Sequence, residues 1–251
     1  MKHCILLTLL FLSPALFAQS GNYSDKWQAG LVAGPTFNGL NAGTFSSDFD
    51  GNMAFMAGVF AEYRISEALQ IRAELNFEQR NVFNRAFSAG LRDYDTSSYV
   101  CMSCHYEIDV DYTNTYLSIP LYAQYVRKQG SFGLGVRMGL YYALLTSTWR
   151  EGYEELYIDP EGSRPFTLED LQPGRYRIHY SGDATGVINT YDAGVWIGIL
   201  FVYELGERTT LQLDGSLQTG FAGLFEDPRV IEISNRTYST RLGIAYKLFR
   251  K

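Results

Sequence analysis

From Leu69 to Glu78 the chain alternates without a break between apolar and polar residues. Leu69, Ile71, Ala73, Leu75 and Phe77 take the odd positions; Gln70, Arg72, Glu74, Asn76 and Glu78 take the even ones. Successive side chains of a β-strand point to opposite faces, so this segment reads as a strand with one oily face and one charged face. Two architectures accept such a strand. In a water-soluble sandwich the oily face is the core. In an outer-membrane barrel it meets lipid, and the charged face fills the interior.

The first residues bear on the compartment. Met1-Lys2-His3 carries one positive charge, Cys4 to Leu12 is an apolar run, Ser13-Pro14 breaks it, and Ala15-Leu16-Phe17-Ala18 precedes Gln19. This is the pattern of an export signal, giving residues 1–18 as a signal peptide and residues 19–251 as one mature domain. The apolar run falls short of the about 20 residues that a membrane-spanning helix needs. No later segment supplies such a run, and mean hydropathy is −0.12. A membrane location therefore requires strands.

Removing residues 1–18 takes away Lys2 and no acid, leaving 20 Lys plus Arg against 27 Asp plus Glu, a net charge of −7. An acidic chain excludes nucleic acid as the expected partner. Tyr occurs 19 times and Gly 24 times, which suits a barrel with aromatic girdles and closely packed inner positions.

Strand-like segments lie near Lys26–Asn38, Asn52–Ile65, Ala68–Val82, Asp109–Arg127, Ser131–Trp149, Gly186–Tyr203, Arg208–Phe221 and Arg236–Phe249. Tight links at Ser66-Glu67, Lys128-Gln129-Gly130 and Glu204 to Glu207 alternate with long ones at Gly39–Gly51, Phe83–Ile108, Arg150–Thr185 and Ala222–Asn235. Alternation of short turns and long loops is the expectation for an all-β, eight-stranded, antiparallel up-and-down transmembrane barrel. Tyr63, Tyr125, Tyr203 and Tyr246 recur beside the short-link end, the placement of an interfacial girdle. Pro35 in the first strand is expected only near a rim, because it lacks a donor for the ladder.

The inward rows bring together Glu62, Glu74, Glu78, Asp192 and Asp214 with Arg64, Arg72, Arg137, Arg241 and Lys247. An eight-stranded barrel has room for side chains only, so these are expected to form a closed ion-pair network that plugs the lumen. The alternative is a small-solute channel lined by charge.

Cys101-Met102-Ser103-Cys104-His105 is the sharpest local motif. Its spacing matches covalent haem attachment, yet the loop around it offers no helical pocket, and His179 is the only other mature histidine. A zinc site from Cys101, Cys104, His105 and His179 lacks a second closely spaced ligand pair. The expected state is a Cys101–Cys104 disulfide in an oxidising compartment, or two free thiols. No Gly-x-Ser-x-Gly element or phosphate-binding loop is present, so no catalytic residue, cofactor or metal is assigned. Phe166–Leu171 reads as one capped helical turn, and the loop acids Asp48, Asp50, Asp93, Asp95, Asp109 and Asp111 as solvated charge, with weak calcium binding as the sharper alternative.

Tyr116-Leu117-Ser118-Ile119-Pro120-Leu121-Tyr122-Ala123-Gln124-Tyr125 resembles the Leu-x-Ile-Pro-Leu-x-x-x-Tyr element of the PorT-like, "porin family" outer-membrane barrels of Bacteroidota. The Ala61-Glu62-Tyr63-Arg64-Ile65-Ser66 and Leu69-to-Leu75 hairpin resembles the same family, over essentially the whole mature chain. The resemblance implies an eight-stranded barrel in the outer membrane, with no shared catalytic residues to carry over. The expected role is non-enzymatic: structural, adhesive or adaptor, exerted by a monomer through its long external loops, with membrane lipid as one partner and a protein as the other.

Overall fold

The computed structural model describes residues 26–42, 49–92, 99–158, 174–224 and 233–248. They form ten strands: β1 Trp27–Ala42, β2 Phe49–Gly51, β3 Met53–Arg64, β4 Leu69–Arg92, β5 Tyr99–Gln129, β6 Phe132–Ile158, β7 Gly174–Asp183, β8 Tyr191–Glu204, β9 Thr209–Gly223 and β10 Ile233–Lys247. Eight of them close a ring in the order β1-β3-β4-β5-β6-β8-β9-β10, every neighbour antiparallel, with β10 returning to β1. β2 continues the line of β3 on the edge of β4, and β7 takes the same edge of β6 as β8 does, further out.

The faces follow the alternation. On β6, Phe132, Leu134, Val136, Met138 and Leu140 are exposed, while Gly133, Gly135, Arg137 and Tyr141 are buried. On β8, Ile197, Ile199 and Phe201 face out while Trp196, Gly198 and Leu200 face in. A ring whose outside is apolar and whose inside is charged is stable only with hydrocarbon around it. Closure leaves no unpaired sheet edge within the ring, which is what makes a β-structure tolerable in lipid.

All three short links lie at one end. Gly130, with φ of +62°, sits with Ser131 between the paired residues Gln129 and Phe132, a left-handed position that glycine takes without steric cost. The tyrosines of that end stand near its links: Trp27 packs on Tyr63 at 4.9 Å and Phe132 on Tyr203 at 4.7 Å.

Three expectations change. The described parts of Phe83–Ile108 and Arg150–Thr185 are largely strand, not loop: β4 runs 24 residues, β5 31 and β6 27, against about 9–11 needed to cross a bilayer. They rise beyond the barrel with β7 as a four-stranded sheet. Beyond the membrane the outer face meets water, so the apolar row stops although the strand does not. Pro35 lies mid-strand rather than at a rim; the β1–β10 ladder skips Gly34 and Pro35, and the β4–β5 ladder skips Pro120 likewise. Both prolines thus sit where no donor is required. Third, β8 begins at Tyr191, because residues 184–190 form a link across the barrel mouth. The segments 1–25 and 159–173, which hold the expected signal peptide and Phe166–Leu171, lie outside the described residues, as do residues 93–98 with Asp93 and Asp95, the side chains of Asp48 and Asp50, and the stretch 249–251.

Candidate functional site

The lumen is built in layers. Near the turn end, Val32, Phe60 and Ala245 form one buried group and Val126, Leu200 and Val202 another. Above them lies an ionic layer. The Arg72 guanidinium meets Glu62 at 2.9 Å and Glu74 at 2.5 Å. Arg241 bridges Glu74 at 2.6 Å and Asp214 at 2.6 Å, and Arg137 also pairs with Asp214. Gln212 accepts from Arg72 at 2.5 Å and donates to Glu62 at 3.2 Å. The Tyr122 hydroxyl donates to Glu74. Three guanidinium groups thus face three carboxylates, all with side chains at most 3% exposed. Buried charges survive only when paired and hydrogen-bonded in this way.

Aromatic rings fill the space between the charges. Met56, Tyr116, Tyr122, Tyr141, Ala143 and Trp196 are buried together. Arg72 stacks over Phe60 with its central carbon 3.4 Å from the ring centroid, and Arg241 over Trp196 at 4.5 Å, adding cation–π attraction in a dry setting. Gly139 is the cross-strand partner of Trp196. A Cβ on Gly139 would collide with the Leu121 carbonyl oxygen and the Tyr122 Cβ, so glycine is what lets these large groups lie close to the wall.

A second ionic layer centres on Arg80. It contacts Glu78 at 3.0 Å, Asp192 at 2.5 Å and Gln218 at 3.1 Å. Tyr141 donates to Asp192 at 2.8 Å. Above it an apolar lid closes the outer mouth: Val82, Ile108, Val110, Tyr112, Ile188 and Leu224. Ile188 comes from the 184–190 link, which is tied down by Ala184 N–H to Thr148 O at 2.9 Å, Leu145 N–H to Thr190 O at 2.9 Å and Asn189 N–H to Leu224 O at 2.8 Å.

Of the ten residues expected in the lumen network, the structure brings together eight: Glu62, Arg72, Glu74, Glu78, Arg137, Asp192, Asp214 and Arg241. Arg64 and Lys247 are only half-buried at the turn-end rim, where Lys247 donates to the Glu207 carbonyl at 2.8 Å. Lys247 reaches water there and needs no carboxylate, whereas Nε and one terminal nitrogen of Arg64 are buried without a hydrogen-bond partner. Arg80 is the network member that the sequence reading misses, although it stands two residues beyond Glu78 in the same alternation. Gln212, Gln218, Tyr122 and Tyr141 are missed because a neutral side chain in an inward row does not announce a bond to a charge.

The sheet beyond the barrel carries its own polar order. A β-bulge between Thr115 and Tyr116 of β5 and Ser147 and Leu145 of β6 adds one residue to β6, which reverses its faces and turns Trp149 outward. On the outer face Arg85 pairs with Asp109 at 2.9 Å, and Glu155, 2% exposed, holds Arg177 at 2.7 Å and Arg175 at 3.1 Å. Asp111 stands 3.4 Å from Arg85, so two of the expected solvated acids are in ion pairs. Cys104 is buried against Ile158 and disulfide-bonded, while the Cys101 side chain lies outside the described ones. A sulfur held in a disulfide is not available for thioether attachment or as a thiolate ligand, which removes Cys104 from the haem and zinc readings. His105 stacks instead on Tyr157 at 5.0 Å.

On the inner face of this sheet, burial first and then Glu154 push the Tyr106 phenol up to about 12, and Tyr180 moves the same way for the same causes. A phenol in an unfolded chain titrates near about 10. Because the folded value is the higher one, this contribution is complete below pH ~10 and is lost as pH climbs toward the folded value. The sheet is expected to lose protease resistance above pH ~10, and Tyr106→Phe should flatten that dependence, as read by limited proteolysis across an alkaline series.

The closed ring, outward apolar band and packed interior agree with what a family comparison finds. A family model described as outer membrane protein beta-barrel domain matches residues 17–226. The chain belongs to this family. It is an all-β barrel of the cell outer membrane, with eight antiparallel strands in up-and-down order. No curated protein matches it. Among solved structures it is similar to the attachment invasion locus protein Ail of Yersinia pestis, at 10% identity and a TM-score of 0.38, covering 88% of this chain and 99% of that one. Neisserial surface protein A is similar at 13% identity and a TM-score of 0.38, covering 88% and 97%. The outer membrane protease OmpT from Escherichia coli follows at 11% identity and a TM-score of 0.37, covering 92% and 99%. Likeness at this level transfers none of their activities.

Proposed function

We propose that this outer-membrane barrel is a non-conducting, non-enzymatic anchor. In this reading it displays the β4–β7 sheet outside the cell for adhesion or for docking a protein partner. One observation carries it: the lumen is filled from the turn end to the outer mouth by two ionic layers, an aromatic layer and the Ile188–Leu224 lid. A barrel that passes no solute acts through what it presents at its ends. The three tall strands and β7 place a mixed-charge, partly aromatic face well clear of the headgroups, where a rigid platform suits recognition better than a mobile loop. We place it with the PorT-like barrels of Bacteroidota, on the Leu117-Ser118-Ile119-Pro120-Leu121 element, and as a monomer.

The deciding measurement is conductance of the purified protein in a planar bilayer. The expected trace is flat at physiological salt. Stable, ion-selective steps would replace this reading with the second one, a small-solute channel, for which the charged lumen is the supporting observation. Where the trace is flat, a pull-down with the intact barrel against the same barrel carrying substitutions at Arg175 and Arg177 tests the docking face.

A further inference from the structure

We infer that a lipid-facing groove at the turn end, between β5, β6, β8 and β9, binds one anionic phospholipid of the periplasmic leaflet. Its phosphate sits on Arg127 and an acyl chain lies across the neighbouring strands. The inference stands independently of whether the lumen conducts. The groove has a volume of about 900 Å³, within the roughly 300–1,000 Å³ of pockets that hold a discrete ligand. Two cross-strand rows make its wall. Leu134, Phe201 and Leu213 are register partners in turn, and so are Phe132, Tyr203 and Leu211. All face outward, so this is a concave part of a surface that is otherwise simply apolar.

The polar border distinguishes it. Arg127 is the register partner of Leu134 on β5, so it extends the first row by one cation. Its side chain is exposed, and no acid among the described residues pairs with it. Its neighbour Lys128 alternates inward and gives its charge to Glu204 at 2.5 Å. The groove therefore has one uncommitted guanidinium beside a hydrocarbon wall, at the level where the chain turns into the periplasm. A free guanidinium fork matches a phosphate, and an adjacent apolar trough matches the chain that hangs from it. Net negative charge on the lipid complements the cation, whereas a zwitterionic headgroup brings its own competing ammonium. Another Arg at this end, Arg208, lies outside the groove and donates to the Tyr246 hydroxyl at 3.0 Å.

Native mass spectrometry of the intact barrel from neutral detergent tests this, with equimolar phosphatidylglycerol and phosphatidylcholine added. The unaltered protein should retain one phosphatidylglycerol in preference to phosphatidylcholine. Arg127→Gln should lower that retention by about fivefold, the factor that one surface cation is worth against an anionic leaflet. Phosphatidylcholine retention should not change, and Arg208→Gln should behave like the unaltered protein. Both substituted residues are exposed, and heat-modifiable gel mobility confirms that each variant is folded. The inference fails if Arg127→Gln retains phosphatidylglycerol as the unaltered protein does. It fails equally if Arg208→Gln loses as much, since the lipid would then be answering the general charge of the rim.

Discussion

Arg241→Met is expected to lower the unfolding free energy of the barrel by about 3–5 kcal/mol, because it takes one of two guanidinium partners from each of two buried carboxylates. Arg241 contacts Glu74 at 2.6 Å and Asp214 at 2.6 Å, and all three side chains are at most 3% exposed. Methionine restores much of the volume, so packing loss is a minor part of the effect. The cost comes from charge with no solvent and one partner fewer. Urea unfolding in lipid vesicles, followed by tryptophan fluorescence, reads it directly; Trp196, under the Arg241 guanidinium, is a built-in reporter. Lys247→Met is the control. That cation is half-buried at the rim and bonds one backbone carbonyl, so its loss should cost at most about 1 kcal/mol. Equal costs for the two would mean that the interior is wet and screened, and the filled-lumen reading would be wrong.

The outward face is tested by the opposite manoeuvre. Met138 is 65% exposed and lies midway along the apolar row of β6 from Phe132 to Leu144. Met138→Arg should destabilise the barrel by about 2–4 kcal/mol in a bilayer, the cost of arginine near the midplane. Glu151→Arg, on the outer face of the same strand above the membrane, should stay within about 0.5 kcal/mol. The two substitutions introduce the same residue into exposed, outward-facing positions of one strand. They differ in depth, one site lying in the membrane and the other, already charged, lying above it, so a similar cost for both would remove the lipid from the argument.

Much of this molecule is written in local alternation. The eight ring strands, their inward and outward rows, the three short links and the tyrosine level all follow from residues two apart, because a strand points its side chains by parity alone. Eight of the ten lumen residues were readable on that basis, and Arg80 was equally readable as the next inward position after Glu78. The outer sheet was not, because the outward row of β4 changes from Phe77 in lipid to Arg85 in water while the backbone continues unchanged. Nor was the reversal of faces in β6, since a single inserted residue near Thr146 resets parity without any mark in composition.

What the chain determines by itself is therefore which way each side chain points and at which end the links are short. What only the closed structure decides is who meets whom. Arg241 finds Glu74 across 167 residues and Arg80 finds Asp192 across 112, because ring closure and strand stagger set those pairs. Ile188 from the 184–190 link and Leu224 from just beyond β9 seal the mouth because both are buried in one cluster over the same opening. Parity is a property of neighbouring residues, and a partner across a lumen is a property of the whole ring.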